Sequence, residues 1–221
     1  MFKSTQRGFT LIEIAIVLVI IGLLLGGVLK GQELITSARV RNLIAQQDGI
    51  KAAFFGFQDR FRAYPGDYAS ASTTLKCPSG TTCLNGNGNG LIESNAPATQ
   101  GGSVTNEHTL VWMHLSSAGF LNGSYVMSAS GEPVSTLNTP HNPYNMPLEL
   151  EHDADYLDTT QTPVTKLNLK TGAQIPVEIV SEVDRKIDDG HAQRGSFRFS
   201  SFGGAVADGS SPCVDGTTNN W

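Results

Sequence analysis

The chain carries little charge for its size, and the charge that it carries is mostly negative. Only 16% of its 221 residues are Asp, Glu, Lys or Arg, and 15 basic side chains against 20 acidic ones give a formal net charge of −5. Nucleic-acid binding needs clustered Lys and Arg, so the composition argues against a nucleic-acid partner. A hydrophobic fraction of 39% also excludes a wholly disordered chain, which would have fewer apolar residues and more charge.

Sequence signatures of common catalytic sites are missing as well. The chain has no Gly-x-Ser-x-Gly, no His-Glu-x-x-His and no phosphate-binding loop. An acidic run extends from Glu149 to Asp158 around His152, but it lacks the spacing of a metal or acid–base site, and such runs usually lie on solvated faces. We therefore expect no catalytic residues and no enzymatic activity.

One long apolar run interrupts this polar background near the N-terminus. Between Phe9 and Leu29 only Thr10 and Glu13 are polar, and the run is about as long as the ~20 residues with which a helix spans a bilayer. A secretory signal peptide also has a basic start, but its apolar run is shorter and ends at a cleavage site. We therefore predict a membrane-spanning helix that the protein retains, with its N-terminus in the cytoplasm.

Glu13 is the unusual residue of this run. A carboxylate inside an apolar span is costly in lipid and usually has a partner. Snorkelling to the interface is the simpler explanation of its position. The alternative is that Glu13 pairs with a positive group on a neighbouring copy of the chain.

The segment from Arg7 to Glu13, Arg-Gly-Phe-Thr-Leu-Ile-Glu, with the apolar helix after it, resembles the class III leader of type IV pilins and type II secretion pseudopilins. The resemblance implies that prepilin peptidase cleaves between Gly8 and Phe9 and that the Phe9 amine is N-methylated. It also implies that Glu13 neutralises the terminal amine of an adjacent subunit, since two opposite charges are tolerated in a low-dielectric core only together.

The chain departs from this family at the end of the apolar stretch. Many members have a Pro there, whereas this chain has Lys30 among several glycines. Each glycine weakens a helix by roughly 1 kcal/mol relative to Ala, which would let the helix loosen outside lipid. The alternative is that these small residues allow helices to pack closely. The glycines concerned are Gly22, Gly26, Gly27 and Gly31.

The helix is expected to continue beyond the membrane and to end before Tyr64-Pro65, because a residue that precedes Pro disfavours helix. Apolar side chains recur there at steps of three and four, which predicts one buried face. The stripe consists of Val40, Leu43, Gln47, Ile50, Phe54, Phe57 and Phe61.

Beyond Pro65 the pattern predicts a small head with mixed secondary structure. Asn106–Gly119 is expected to form a second helix, with Asn106 as its cap. Alternating runs at Gly123–Met127, Val177–Val180 and Ser196–Ser200 predict short strands.

The predicted fold class is α+β, with a long N-terminal helix packed on a small antiparallel sheet and long loops, and the family resemblance implies the same pilin-like architecture. The predicted organisation is a leader peptide at 1–8, a transmembrane and filament-core helix at 9–30, its continuation into the head at 31–63, and a periplasmic or extracellular head at 64–221.

Three cysteines, Cys77, Cys83 and Cys213, would lie outside the cytoplasm in this topology, so a disulfide is expected. Any one of three bridges is possible, each leaving one thiol over. The turn-rich segment between Cys77 and Cys83 favours a local bridge. Alternatively, Cys213 bridges back and ties down the C-terminal segment.

A loop of three Asn-Gly pairs resembles the first part of an EF-hand, because oxygen-bearing side chains alternate and Gly90 occupies the sixth position. The twelfth position is Ala96 rather than Glu, so charge would have to come from Glu93, Asp67 or Glu107. The alternative is a series of tight Asn-Gly turns. The candidate calcium ligands are Asn85, Asn87, Asn89, Leu91 and Glu93; no other cofactor is implied.

The function predicted from the sequence is that of a structural subunit of a type IV pilus-like filament. Its partners would be other copies of itself, prepilin peptidase and methylase, the inner-membrane assembly platform and other minor pilins. The protein would wait in the bacterial inner membrane, single-pass with its head in the periplasm, and then enter an extracellular pilus or a periplasmic pseudopilus. The alternatives are a type II secretion pseudopilin, a membrane-anchored ligand-binding module, and a hydrolase acting through His152 and Asp153.

Overall fold

The computed structural model describes residues 10–78, 81–94, 106–127, 138–158 and 162–200. The predicted processing residues Gly8 and Phe9, and the third cysteine, Cys213, lie outside these residues. The described elements are α1 (Leu11–Phe61), α2 (Ala71–Thr74), α3 (Glu107–Ser117), β1 (Glu149–Asp153), β2 (Lys166–Lys170) and α4 (Val177–Ile187). A long N-terminal helix with a small antiparallel sheet confirms the predicted α+β, pilin-like architecture.

The chain divides into two compact units, one ending at Arg39 and the other beginning at Val40. The described part of the first unit is the N-terminal portion of α1. This helix is long and apolar enough to cross a membrane, and none of its most apolar 18-residue window is buried within the protein. Leu23 is 74% exposed and Leu29 is 65% exposed.

The second unit begins with the remainder of α1, whose apolar stripe faces inward as its spacing predicts. Phe61 at the end of the stripe is partly buried and packs against the same core. The helix ends at Phe61, one residue before Arg62 takes a left-handed conformation with φ of 55°. The buried residues of this stretch are Val40, Leu43, Gln47, Ile50, Ala53, Phe54 and Phe57.

The main core of the head lies between α1, α3 and the sheet. It joins Phe54 and Phe57 of α1 to Trp112 of α3 and to Leu148 and Leu150 around the start of β1. Every residue of α3 from Glu107 to Leu115 is buried, as expected for a helix that is surrounded by the fold.

The second helix is found where the sequence predicts it. Asn106 occupies the cap position of α3 but makes no side-chain capping bond. Gly119 follows the helix with φ of 80°, a conformation that suits glycine at a helix end.

A second core forms where α4 packs on α1. Ile179 and Val183 contact Val40 and Leu43 there. The strand predicted at Val177–Val180 is therefore wrong, because these residues form the first turn of α4. Four residues fit a period of two as well as a helical face, and only the continued spacing to Val183 distinguishes the two.

The other two predicted strands are also wrong. Gly123–Met127 is irregular, and Ser196–Ser200 contributes only an isolated bridge between Ser200 and Tyr156. The sheet instead consists of β1 and β2, which pair antiparallel with Glu149 opposite Lys170. These two strands are rich in charged residues, so the search for alternating apolar residues did not predict them.

The local disulfide between Cys77 and Cys83 is present. It closes the segment that leads from α2 towards the Asn-Gly loop. The alternative bridge through Cys213 involves a residue outside the described part of the chain.

Candidate functional site

Glu13 lies in the first turn of α1, where it closes a reciprocal hydrogen-bond pair with Thr10. The Thr10 backbone amide and hydroxyl both donate to Glu13 Oε2, each at 2.8 Å, and the Glu13 amide donates to Thr10 Oγ1 at 3.3 Å. This is a capping box, and the sequence signal Thr-x-x-Glu before an apolar run could have revealed it. The described bonds to the carboxylate both use Oε2.

The Asn-Gly loop, defined here as residues 85–93, wraps around two carboxylates from other parts of the head. Asp67 accepts hydrogen bonds from the backbone amides of Asn89 and Gly90, both at 2.9 Å. Glu107 Oε1 accepts one from the Asn87 amide at 2.8 Å. Both acids were expected from the sequence as possible sources of charge for this loop, and the structure brings them to it.

Close backbone packing fixes the loop against the turn after α1. A Cβ built on Gly86 would overlap the carbonyl oxygen of Gly66 and the carbonyl carbon of Asp67. Because backbone atoms cannot move aside cheaply, only glycine fits at position 86.

The side chains of the predicted calcium ligands make local contacts. Asn85 Oδ1 accepts from the Ser72 amide at 2.8 Å, and Asn89 Oδ1 accepts from the Leu91 amide at 2.8 Å. Asn87 Oδ1 accepts from the Asn89 amide at 2.9 Å. The bonds of Asn87 and Asn89 are Asx-type turns, in agreement with the alternative interpretation of the loop, whereas the bond of Asn85 joins the loop to α2.

Two of the predicted calcium ligands, Asn89 and Glu93, are hydrogen-bonded to each other. Asn89 Nδ2 donates to Glu93 Oε2 at 2.8 Å. The structure therefore brings a third carboxylate to the loop, although Glu93 is held through an amide nitrogen rather than through an oxygen. Binding of calcium by this set stays a prediction.

Glu107 is the most buried carboxylate of this region, with no exposed surface. Burial raises its pKa to about 7, and the negative charges of Asp67 and Glu93 act in the same direction. Burial also raises the pKa of Asp67, against the effect of the amides that donate to it.

His114 joins the turn after α1 to the start of the loop from within the core. The Gly66 amide donates to its Nδ1 at 2.9 Å, so Nε2 carries the proton and donates to the Leu84 carbonyl at 2.8 Å. Burial lowers the pKa of His114 to about 4. A neutral imidazole is thus required, because protonated Nδ1 could not accept the Gly66 bond.

The acidic run around His152 is not the solvated face that the sequence predicted. Lys170 Nζ lies 2.7 Å from Glu151 Oε1, 2.7 Å from Asp153 Oδ2 and 3.6 Å from Glu149 Oε2. All four side chains are at least 88% buried, since the most exposed of them is 12% accessible. Alternate residues of β1 share a face, and β2 places one lysine against all three acids.

The charges of this Lys170 cluster are unequal. Burial alone would lower the pKa of Lys170, but its hydrogen bonds to Asp153 and Glu151 raise it above its ordinary value. Burial raises the pKa of Glu149 to about 7, and the neighbouring Glu151 charge adds to the effect. One lysine therefore balances the cluster only partly while all three acids are ionised.

The two residues of the hydrolase alternative have other contacts. The Ile92 amide donates to His152 Nδ1 at 2.8 Å. Asp153 is held by Lys170 and by Asn168 Nδ2, which donates to its Oδ1 at 2.7 Å. His152 therefore ties the sheet to the Asn-Gly loop, and Asp153 ties β1 to β2.

A further acidic group, which no sequence motif indicated, lies at the end of α4. Carboxylate oxygens of Asp184, Asp188 and Asp189 all lie within 4.8 Å of one another. Asp188 Oδ2 accepts hydrogen bonds from the backbone amides of Ser196 and Phe197. These two amides partly stabilise the negative charge of Asp188.

Comparison with known proteins concerns the N-terminal segment. A family model described as the prokaryotic N-terminal methylation motif matches residues 3–29. Neither the curated proteins nor the solved structures contain a match to the chain. The matched residues include Glu13 and the whole apolar run from Phe9 to Leu29. The chain thus carries a prokaryotic N-terminal methylation motif, which is typical of type IV pilins and pseudopilins.

Proposed function

We propose that the protein is a structural subunit of a type IV pilus-like filament. The match of residues 3–29 to the methylation motif carries this proposal. The exposed apolar surface of α1 supports it, because an apolar surface of this size needs lipid or other subunits to cover it. The same surface can serve both states, first in the membrane and then in the filament.

Processing would occur between Gly8 and Phe9, with methylation of the new Phe9 amine. Thr10, the next residue, is already held against Glu13 by the capping box. That contact uses Oε2 and supports a role for Oε1 as the acceptor for a neighbouring subunit's terminal amine. The capping box would thus position the carboxylate before assembly.

Assembly would use the inner-membrane platform and would stack subunits through their apolar helices, together with other minor pilins. A head-to-tail contact that does not close on itself generates a helical polymer. The leader would occupy residues 1–8 and the head residues 64–221. The extracellular pilus is our first expectation, and a type II secretion pseudopilus is the alternative.

The test compares Glu13→Ala with Thr10→Val in the native host. Glu13→Ala should leave cleavage intact and reduce the filament yield at least about tenfold, since a buried amine without its counter-charge costs several kcal/mol. Thr10→Val keeps the acid and removes the hydroxyl's capping bonds, so filaments should still form. Both cleavage and filament yield are measured, by mass spectrometry and by shearing.

Normal filament yield from Glu13→Ala would contradict the charge-pairing role. A processed wild-type protein that never leaves the membrane fraction would instead favour the pseudopilin or the anchored ligand-binding module.

A further inference from the structure

Three acidic side chains are attached to the Asn-Gly loop by hydrogen bonds. Asp67 and Glu107 accept hydrogen bonds from one four-residue stretch, Asn87 to Gly90. Glu93 is attached to the same stretch through Asn89. The charges that act most strongly on Glu107 are those of Asp67 and Glu93, both negative. The site therefore gathers negative charge around a fully buried acid.

An unpartnered oxygen distinguishes this site from an ordinary acidic surface. Glu107 is 0% exposed, and its Oε2 has no hydrogen-bond partner among the described residues. The bond from Asn87 to Oε1 turns the carboxylate into the loop. Leaving such a group unsatisfied costs on the order of 1–3 kcal/mol or more for a charge, so a partner that the protein chain does not supply is expected.

We propose that Asp67 and Glu107, with the loop oxygens of Asn87 and Asn89 and the charge of Glu93, bind a calcium ion. Ca²⁺ takes six to eight oxygen ligands in flexible geometry. Each Asn oxygen accepts one backbone amide and keeps a second lone pair, and each carboxylate has further lone pairs. Carboxylate and amide oxygens are hard donors that suit this ion.

The proposed site differs from the one predicted by the linear EF-hand pattern. Asn85 is directed to the Ser72 amide, and Leu91 is placed by its own bond to Asn89. The principal charges come instead from the turn after α1 and from the first turn of α3. A bound ion would hold the turn after α1, the start of α3 and the loop together. It would add to the hydrogen bonds by which His114 joins Gly66 to Leu84.

The experiment uses the full chain, freed of divalent ions and held in detergent micelles. Calcium chloride is titrated to about 10 mM while heat of binding and melting temperature are recorded, since extracellular calcium modules bind with dissociation constants on the order of 10⁻⁴–10⁻³ M. The wild-type melting temperature should rise with calcium concentration, as ligand binding to the native state requires.

Two variants test the assigned ligands, and a third is the control. Glu107→Gln keeps the size of the side chain and an oxygen for the Asn87 amide but loses the charge, so we expect its dissociation constant to rise at least about tenfold. Glu93→Gln, at a part-exposed position, should weaken binding by a smaller factor and serves if Glu107→Gln does not fold. Asp189→Asn removes one acid from the group at the end of α4 and should leave the dissociation constant unchanged.

The proposal is overturned if the wild type shows neither heat nor a rise in melting temperature up to the highest calcium concentration. That outcome would mean that a proton or a water molecule satisfies Glu107 Oε2. Calcium binding that Glu107→Gln and Glu93→Gln leave unaltered, or that Asp189→Asn removes, would also overturn it and would place the ion elsewhere.

Discussion

The two units of the chain treat apolar and charged side chains in opposite ways. In the first unit, apolar residues of α1 are exposed, with Leu11 at 89% and Leu23 at 74%. In the head, charged residues are buried, with Glu107 at 0% and Lys170 at 7%. A soluble fold normally does the reverse at both places. The first unit therefore needs an external apolar environment, whereas in the head Lys170 and the three acids around it stabilise one another.

This difference separates two kinds of dependence on partners. An exposed apolar helix gains stability from lipid or from other helices by non-directional burial. Buried charges need particular partners at particular distances, because an unpaired one is costly. We therefore expect the head to respond strongly to single substitutions at its charge networks.

The largest expected effect is at Lys170, whose loss would leave three buried acids without their cation. Lys170→Met keeps most of the side-chain length, and we expect it to lower the free energy of unfolding by about 3–5 kcal/mol. Denaturant unfolding of the full chain in detergent measures the change. Lys186→Met is the control, because Lys186 pairs with Glu182 at 2.9 Å on the surface, where such pairs contribute little. Equal losses of unfolding free energy in the two variants would show that Lys170 does not stabilise the buried acids around it.

The next effect concerns the pH dependence of the head. The folded-state pKa of His114 is lowered from 6.5 to about 4, so its neutral form stabilises the fold fully above pH 6.5. As the pH falls from 6.5 towards 4, the unfolded chain binds the proton first and about 3 kcal/mol of stability is lost.

His114→Gln isolates this contribution from those of other groups. The variant is expected to be less stable at pH 7 but to lose about 3 kcal/mol less than the wild type between pH 6.5 and 4. Unfolding free energies at four pH values provide the measurement. Parallel pH profiles for the two proteins would show that His114 titrates normally in the fold.

A smaller effect distinguishes glycines that are required from glycines that are not. Gly86→Ala would press a Cβ against backbone atoms of Gly66 and Asp67 and should destabilise the head by about 1–3 kcal/mol. Gly49→Ala, on the exposed face of α1 with nothing within 4 Å of the added Cβ, should stabilise it by up to about 1 kcal/mol. Melting temperatures of both variants test the opposite signs, and a neutral Gly86→Ala would contradict the close packing of the loop.

The sequence predicted those features that depend on local spacing. The end of α1 at Phe61 followed from Pro65, and the buried stripe followed from its period. The Cys77–Cys83 bridge needed only a short turn. Asp67 and Glu107, like Glu93, were recognisable as possible sources of charge because the three Asn side chains of the loop are neutral.

Features that depend on distant pairing were not predictable. The acidic run of β1 resembles a solvated face because its partner, Lys170, lies on another strand and nothing local indicates the register. The strand predicted at Val177–Val180 failed because four residues fit two periods equally well. The capping box of Thr10 and Glu13 is a local signal, but it overlaps the leader motif and the apolar run, which both assign Glu13 a role outside its own helix.

The proposed function requires that this chain is processed at its N-terminus and exported in a filament. The most direct test is the intact mass of the protein recovered from filaments sheared off cells that express it natively. We expect a mass equal to residues 9–221 plus one methyl group. An uncleaved chain that retains Met1 would contradict it.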